Sequence, residues 1–442
     1  MNTIVAPATP IGRGAIAIVR LSGRLALPII QKLAPQLDNV KVRHASLVKI
    51  RHPDSGEPLD EALVTYFQAP HSVTGEDVVE ISCHGSPTLV RTILDLTLHL
   101  GARIAEPGEF TLRALSNGKI NLAQAEAIRD LISARTVTAA RQAARQVGGE
   151  LSVALEQSKG ELIRIIVLFE SALEFVEDDL PQTEMEAIEN SLDSIEANLT
   201  NLANSFAAGR LVKDGIRVAI VGSPNVGKSS LFNRLVEQDR AIVTDIPGTT
   251  RDTLTESIDV RGIPVLLTDT AGLRETSDSI ESLGIERSKR AIIDADVILN
   301  VIDATGPDGP TLVEAEAPQL LILNKSDLVS TDELDHSAAN GIRVSALTGQ
   351  GLDELRAGIL KCLNQNGGQP EGLLITNARH HDLLRAATTE IQSARSLVGE
   401  RAGEELIVVP LHNALKYLGQ ITGETTTEDI LSEIFSTFCI GK

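Results

Sequence analysis

The chain is 442 residues long, room for about three domains, and carries 60 acidic against 40 basic side chains, a formal net charge of −20. That balance excludes a broad positive coat for nucleic acid, and 42% hydrophobic residues exclude a wholly disordered chain. With 8 Phe, 2 Tyr and no Trp, stacking platforms for single-stranded bases are not expected.

The opening residues MNTIVAPATP hold no basic stretch followed by an apolar core, so no secretory leader is expected. No apolar run is long enough to span a bilayer. Cys83, Cys362 and Cys439 have neither a disulfide-framework nor a zinc spacing. A cytoplasmic location without a membrane partner is the expectation. Residues 1–118 hold 11 basic and 11 acidic side chains and mix short strands, Ala15–Leu21, Ala62–Phe67 and Val78–Ser82, with a helix at Leu89–Leu98. From Asn121 the sequence becomes Ala-, Gln- and Arg-rich at helical spacing, continues through Leu151–Val176, breaks at Pro181 and resumes from about Met185 to Phe206, as in a bundle. Arg129, Arg135, Arg141 and Arg145 are accompanied by a single acid, Asp130. From Gly215 strands alternate with helices: Ile216–Val221, the helix Lys228–Val236, then Val265–Thr268, Val297–Ile302, Leu320–Leu323 and Ile342–Val344, closed by the helix Leu352–Leu363. Alternation of this kind predicts a parallel sheet covered on both faces. Residues 376–442 return to helix. The fold class is therefore mixed α/β and α and multidomain: an N-terminal α/β domain at 1–118, a discontinuous helical bundle at 119–213 plus 371–442, and an inserted α/β domain at 214–370. Half of the net acidity falls in that insert, which holds 24 acids against 14 bases.

The insert carries the chemistry. Gly222-Ser-Pro-Asn225-Val226-Gly227-Lys228-Ser229-Ser230 fits G-x-x-x-x-G-K-[ST] after a strand and at the start of a helix. Its N–H groups would surround phosphates, Lys228 would neutralise the β/γ charge, and the Ser229 hydroxyl would ligate Mg²⁺. Asp269-Thr270-Ala271-Gly272 ends a strand, where a carboxylate can hold Mg²⁺ through water and a glycine N–H can meet the γ-phosphate. Asn324-Lys325-Ser326-Asp327 ends the next pattern; the Asp327 carboxylate can accept guanine's ring N–H and amine together, and adenine would leave it facing a lone pair. Ser345-Ala346-Leu347 would add backbone contact to the base. Four motifs in this order specify GTP, and they make the insert at 214–370 a Ras-like P-loop GTPase domain. The water-orienting Gln of Ras-like switches has no counterpart, since Leu273 and Arg274 follow Gly272; Glu275 and Glu281 are the local carboxylates that remain. Cys83-His84 is not a nucleophile–base pair, because neighbours on a strand face opposite sides. His380-His381 is expected to be a solvated or interface pair.

The whole chain resembles the bacterial tRNA modification GTPase family MnmE (TrmE). The resemblance is carried by TIVAPATPIGRGAIAIVRLSG, GEDVVEISCHG, PGEFTLRALSNGKINLAQAEA, the four nucleotide motifs and the C-x-G-K of Cys439-Ile-Gly-Lys442. It implies that the loop Thr244-Asp245-Ile246-Pro247-Gly248-Thr249-Thr250 joins the GTP site and that Thr250 shares Mg²⁺ with Ser229. It also implies that K⁺ is held by the Asn225 side chain and the backbone of Thr244, Ile246 and Thr249. Glu281 would orient the attacking water, so that Glu281 and Lys228 serve hydrolysis. The N-terminal domain would bind a tetrahydrofolate one-carbon donor, 5,10-methylenetetrahydrofolate or 5-formyltetrahydrofolate, through Arg20, Glu80, Lys119 and Lys442, and would dimerise. Cys439 would be the reactive thiol. The implied activity is addition of a carboxymethylaminomethyl or aminomethyl group to C5 of the tRNA wobble uridine, by a homodimer acting with a flavin-dependent partner of the MnmG (GidA) type. Two other readings compete: a GTPase switch in ribosome assembly, and a one-carbon transferase gated by nucleotide.

Overall fold

The computed structural model describes residues 2–174, 182–239, 255–269, 289–306, 314–329, 341–362, 372–424, 431 and 434–441. The chain forms two compact units, Met1–Arg129 with Gln146–Leu155 and Lys416–Lys442, and Asp130–Arg145 with Glu156–Leu415.

In the first unit six strands, β1 (Ile4–Pro7), β2 (Ile16–Ser22), β3 (Ala45–Arg51), β4 (Pro58–Phe67), β5 (Val78–His84) and β6 (Arg103–Ile104), form one sheet in the order β3-β4-β5-β2-β1-β6. Pairing is antiparallel except between β1 and β6. Side chains alternate across it: Ala17, Val19 and Leu21 of β2 and Val79, Ile81 and Cys83 of β5 turn inward, against Ile29, Ile30 and Leu33 of the helix Ala26–Leu33 and Ile93 and Leu96 of the helix Pro87–His99. The alternate positions, including Arg20 and Glu80, are left on the outward face. Phe435 and Phe438 near the end of the chain pack on Ala125, Leu112, Leu115 and Ile120.

The second unit contains a second six-stranded sheet, β7 (Ile216–Val221), β8 (Thr255–Val260), β9 (Ile263–Asp269), β10 (Val297–Asp303), β11 (Gln319–Asn324) and β12 (Ile342–Arg343), in the order β12-β11-β10-β7-β9-β8. All pairs are parallel except the β8–β9 hairpin. Six successive buried residues from Val297 to Ile302 are what a strand covered on both faces requires. Helices Lys228–Asp239 and Leu352–Cys362 supply Leu231, Phe232, Leu235, Leu355 and Ile359 to its core. The helix Gln182–Asn204 packs along Ala378–Gly399, and Arg395 on the latter reaches Asp193 at 2.7 Å and Glu196 at 2.8 Å.

The helical stretch from Asn121 is two helices, Leu122–Ser133 and Val137–Val147. Thr136 starts the second: its Oγ1 accepts the Ala139 N–H at 3.1 Å, the side-chain cap that β-branched Thr offers at a helix start. His380 corrects an expectation. It is fully buried, while His381 stacks on Phe206 with centroids 4.4 Å apart, so the pair is part of the packing rather than solvated. Among the described residues no helix is long and apolar enough to cross a membrane.

Candidate functional site

The loop between β7 and the helix Lys228–Asp239 depends on two glycines. At Gly222, φ is 152° and a Cβ would lie 2.2 Å from the Val301 carbonyl oxygen; at Gly227, φ is 93° and a Cβ would lie 2.3 Å from Asn324 Nδ2. No larger residue fits either place. Lys228 is buried and folds back over the loop, its Nζ donating to the carbonyls of Gly222 at 2.9 Å and Ser223 at 2.7 Å. A cation held there, at the N-terminal end of a helix, is placed to meet phosphate.

Ser229 Oγ donates to Asp269 Oδ2 at 2.8 Å, and Asp269 is buried at the end of β9. A hydroxyl and a carboxylate this close make a hard-oxygen pair that fits Mg²⁺ bound with a phosphate. Asn324, 1% exposed, joins three of the motifs. Its Nδ2 donates to the Val226 carbonyl at 2.9 Å, and its Oδ1 accepts the Ala346 N–H at 3.1 Å. Lys325 Nζ donates to the Asn225 carbonyl at 3.1 Å and to Asp303 Oδ2 at 2.5 Å. Burial alone would raise the Asp303 carboxyl, but Lys325 and the Thr305 donors outweigh it and hold it below its ordinary value. Asp327 is exposed in the turn Ser326–Leu328, with its carboxylate open to donors. Ser345 is fully buried; its N–H donates to the Gln350 carbonyl at 3.0 Å and its Oγ accepts the Thr348 N–H at 3.1 Å, which shapes the loop that carries Ala346 and exposed Leu347.

All these groups stand at the C-terminal ends of parallel strands, the side on which open α/β sheets bind ligands. Asn225 is exposed with φ 64°, and Ser230 is exposed on the first turn of the helix. Thr244, Asp245, Ile246, Pro247, Gly248, Thr249, Thr250, Thr270, Ala271, Gly272, Glu275 and Glu281 lie outside the described residues, as does Lys442. Sequence reasoning does not single out Asp303; its only signal is a carboxylate at a strand end, beside the lysine of the next motif.

On the outward face of the first sheet Arg20 and Glu80 are register partners. The Arg20 Nε and a terminal guanidinium nitrogen both reach Glu80 Oε1 at 2.9 Å, with side chains 24% and 25% exposed. Each therefore keeps a surface for a polar ligand. The guanidinium lies 5.8 Å from the ring centre of Phe110, a residue the sequence reading passes over. Lys119 Nζ donates to the Pro70 carbonyl at 2.9 Å. The loop it touches is fixed to β2 by Ser22 Oγ, 2.7 Å from Thr74 Oγ1 and 2.8 Å from Glu76.

Beneath this loop Arg113, 4% exposed, bridges Glu76 at 2.7 Å and Glu109 at 2.9 Å, and Arg103 grips the same Glu109. Burial would raise the Glu109 carboxyl, yet Arg103, the Glu106 N–H and Arg113 together hold it below its ordinary value. The tail docks beside these groups. The Cys439 carbonyl accepts the Gly108 N–H at 3.4 Å, and Ile440 bridges Pro107. Gly441, at φ 98°, approaches so closely that a Cβ would lie 2.1 Å from the Pro7 carbonyl oxygen and 3.6 Å from the Cβ of Ala6, the register partner of Arg20. The Glu80 carboxylate, the Arg20 guanidinium and the Lys119 ammonium of this unit are groups that could hold a polar ligand carrying donors and carboxylates of its own.

Cys439 is exposed. Cys83 is buried, its Sγ 3.5 Å from the Ala17 carbonyl, and burial, then the Asp60 charge, push its thiol up. His84 is exposed, Nδ1 2.7 Å from Asp60 Oδ1, so the two do face opposite sides. The four arginines do not act alike. Arg129 donates to Thr437 Oγ1 at 2.7 Å and lies over Phe438; Arg135, Arg141 and Arg145 are exposed at the surface.

Two family models match the chain, "GTP-binding protein TrmE N-terminus" over residues 3–119 and "MnmE helical domain" over residues 122–439. Among curated relatives, the tRNA modification GTPase MnmE of Koribacter versatilis is 45% identical, with 100% of this chain and 99% of that protein covered. The protein of the same name from Aquifex aeolicus is 43% identical, with 99% of each covered. That of Akkermansia muciniphila is 42% identical over 100% of this chain and 99% of its own length.

Proposed function

The chain belongs to the MnmE (TrmE) family of tRNA modification GTPases, and from that premise we propose the chemistry its two liganding centres perform. It is a GTP-hydrolysing enzyme of tRNA modification. In our reading it adds a carboxymethylaminomethyl or aminomethyl group to C5 of the wobble uridine, using a one-carbon unit from 5,10-methylenetetrahydrofolate or 5-formyltetrahydrofolate. It acts in the cytoplasm as a homodimer with a flavin-dependent partner of the MnmG (GidA) type. The domains are an N-terminal folate-binding and dimerisation domain at 1–118, a helical domain at 119–213 plus 371–442, and an inserted GTPase domain at 214–370.

The observation that carries the reading is the docked tail. It brings Gly441 against β1 of the sheet that bears Arg20 and Glu80, and Cys439 to Gly108 at the start of the helix Glu109–Ser116, an arrangement a pure nucleotide switch has no use for. Arg20, Glu80, Lys119 and Lys442 hold the folate, with Cys439 as the nearby thiol. Tetrahydrofolate supplies the carbon when bound; the side chains here bind and orient it. In the other centre Lys228 and Asn225 to Ser230, residues 244–250, 269–272, 324–327 and 345–347 hold GTP. Ser229 and Thr250 hold Mg²⁺, and Glu281 positions water. The Asn225 side chain, with the backbone of Thr244, Ile246 and Thr249, would hold K⁺, which would supply positive charge to the hydrolysis step.

Mass analysis of wobble nucleosides from a strain lacking the gene tests the reading; normal modification there would overturn it. GTP turnover should rise strongly when K⁺ replaces Na⁺, and Asn225→Ala should remove the difference. Equal rates in the two salts would sink the potassium site alone.

A further inference from the structure

We propose that Arg135, Arg141 and Arg145, on and just before the helix Val137–Val147, seat the phosphate backbone of the tRNA. The assignment rests on the reading of the chain as a tRNA modification enzyme and says which surface of it the RNA meets.

The helix V-T-A-A-R-Q-A-A-R-Q-V turns Ala139, Gln142 and Ala143 inward and leaves Arg141 and Arg145 exposed. Four residues apart, these two rise from one face with Cβ atoms about 5–6 Å from each other, a separation two neighbouring phosphates of one strand can share. No acidic residue occurs between 131 and 149. The flanking acids are Asp130, which is buried and held by Lys213 Nζ at 2.7 Å, and Glu150 at the start of the next helix, so the stretch between them carries basic side chains alone. Thr136 Oγ1 donates to the Gly262 carbonyl at 2.9 Å, which brings exposed Arg261, at the turn of the β8–β9 hairpin, beside the Arg135 end. The acid of that turn, Asp259, is engaged by the Gly262 N–H at 2.6 Å.

On a body of net charge −20, RNA is repelled from most of the surface and meets least opposition at an exposed stretch free of acids. A surface kept soluble by charge alone would mix both signs. Guanidinium groups offer paired planar donors to phosphate, and a ridge without aromatic side chains suits backbone contact rather than base reading.

The test is titration of the full chain with a fluorescent, unmodified tRNA transcript carrying a wobble uridine, at several salt concentrations. Arg135→Gln, Arg141→Gln and Arg145→Gln combined should raise Kd about tenfold or more and flatten the salt slope by about 3. GTP turnover without RNA and the far-UV spectrum should stay as they were. Arg91→Gln, Arg164→Gln and Arg385→Gln combined make the same change in net charge and should have little effect. Unchanged affinity in the first triple variant overturns the ridge and leaves the enzyme reading intact, as does an equal loss in the second. Failure of the unaltered chain to bind tRNA at all would overturn both.

Discussion

Asn324 shows how much one side chain contributes when its two amide atoms serve different loops. Replacing it with Ala leaves the buried Val226 carbonyl and the half-buried Ala346 N–H without that partner, each costing about 1–3 kcal/mol. Nucleotide affinity should fall about 10- to 100-fold, measured with a fluorescent guanine nucleotide, and Gly227→Ala should abolish binding because the new Cβ lands on the same amide. Glu109 makes a prediction in pH. Its folded carboxyl titrates below its ordinary value, so its stabilisation is complete above the unfolded value of about 4.3 and is lost as pH falls through the folded one. Denaturant unfolding should find Glu109→Gln less stable than the parent at pH 7, with the gap closing below about pH 4. The motif residues were legible because the phosphate loop is local chemistry: a strand, glycines, a lysine and a helix within nine positions. Asp303 and Phe110 were not, since each acts through a partner distant in sequence.

Among elements, the β8–β9 hairpin stands out by what lies at its two ends. β9 finishes at Asp269, and the turn at the other end is held by Thr136. Thr136 also caps its own helix, so Thr136→Ala loses two bonds and should cost about 0.5–2 kcal/mol, read as a lowered thermal midpoint. Gly262→Ala should cost more: φ there is 89° and a Cβ would lie 2.3 Å from Thr138 Oγ1. The long strands and helices were readable by period. The short strands β1 and β6 were not, because they are fixed by pairing with each other across a long stretch of chain and are too brief to show a period. His380 misled for a related reason: a histidine on a helix reads as polar until the helix packed over it is known.

For the whole molecule, the net charge of −20 argued against a broad nucleic-acid coat, and the proposed arginine ridge is compatible with that, since it asks for a limited contact only. The docking of the tail could not be read from sequence, as Pro107 and Ile440 share no local pattern. It makes a separable prediction. Gly441→Val should weaken binding of 5-formyltetrahydrofolate at least about tenfold, because the backbone conformation and the contact with Pro7 are both lost, while GTP turnover stays unchanged. Calorimetry with the folate and a turnover assay on the same preparation would check it.

The first compact unit draws on residues 1–129, 146–155 and 416–442, which gives it an unusual schedule of birth. At about 5–20 residues per second, the ribosome needs about 15–60 s to pass from Arg129 to Lys416. Throughout that time Leu112, Leu115 and Ile120 wait without Phe435 and Phe438. The unit that appears first is finished late, and a nascent chain stalled in between would show chaperones an open apolar seat that the finished protein conceals.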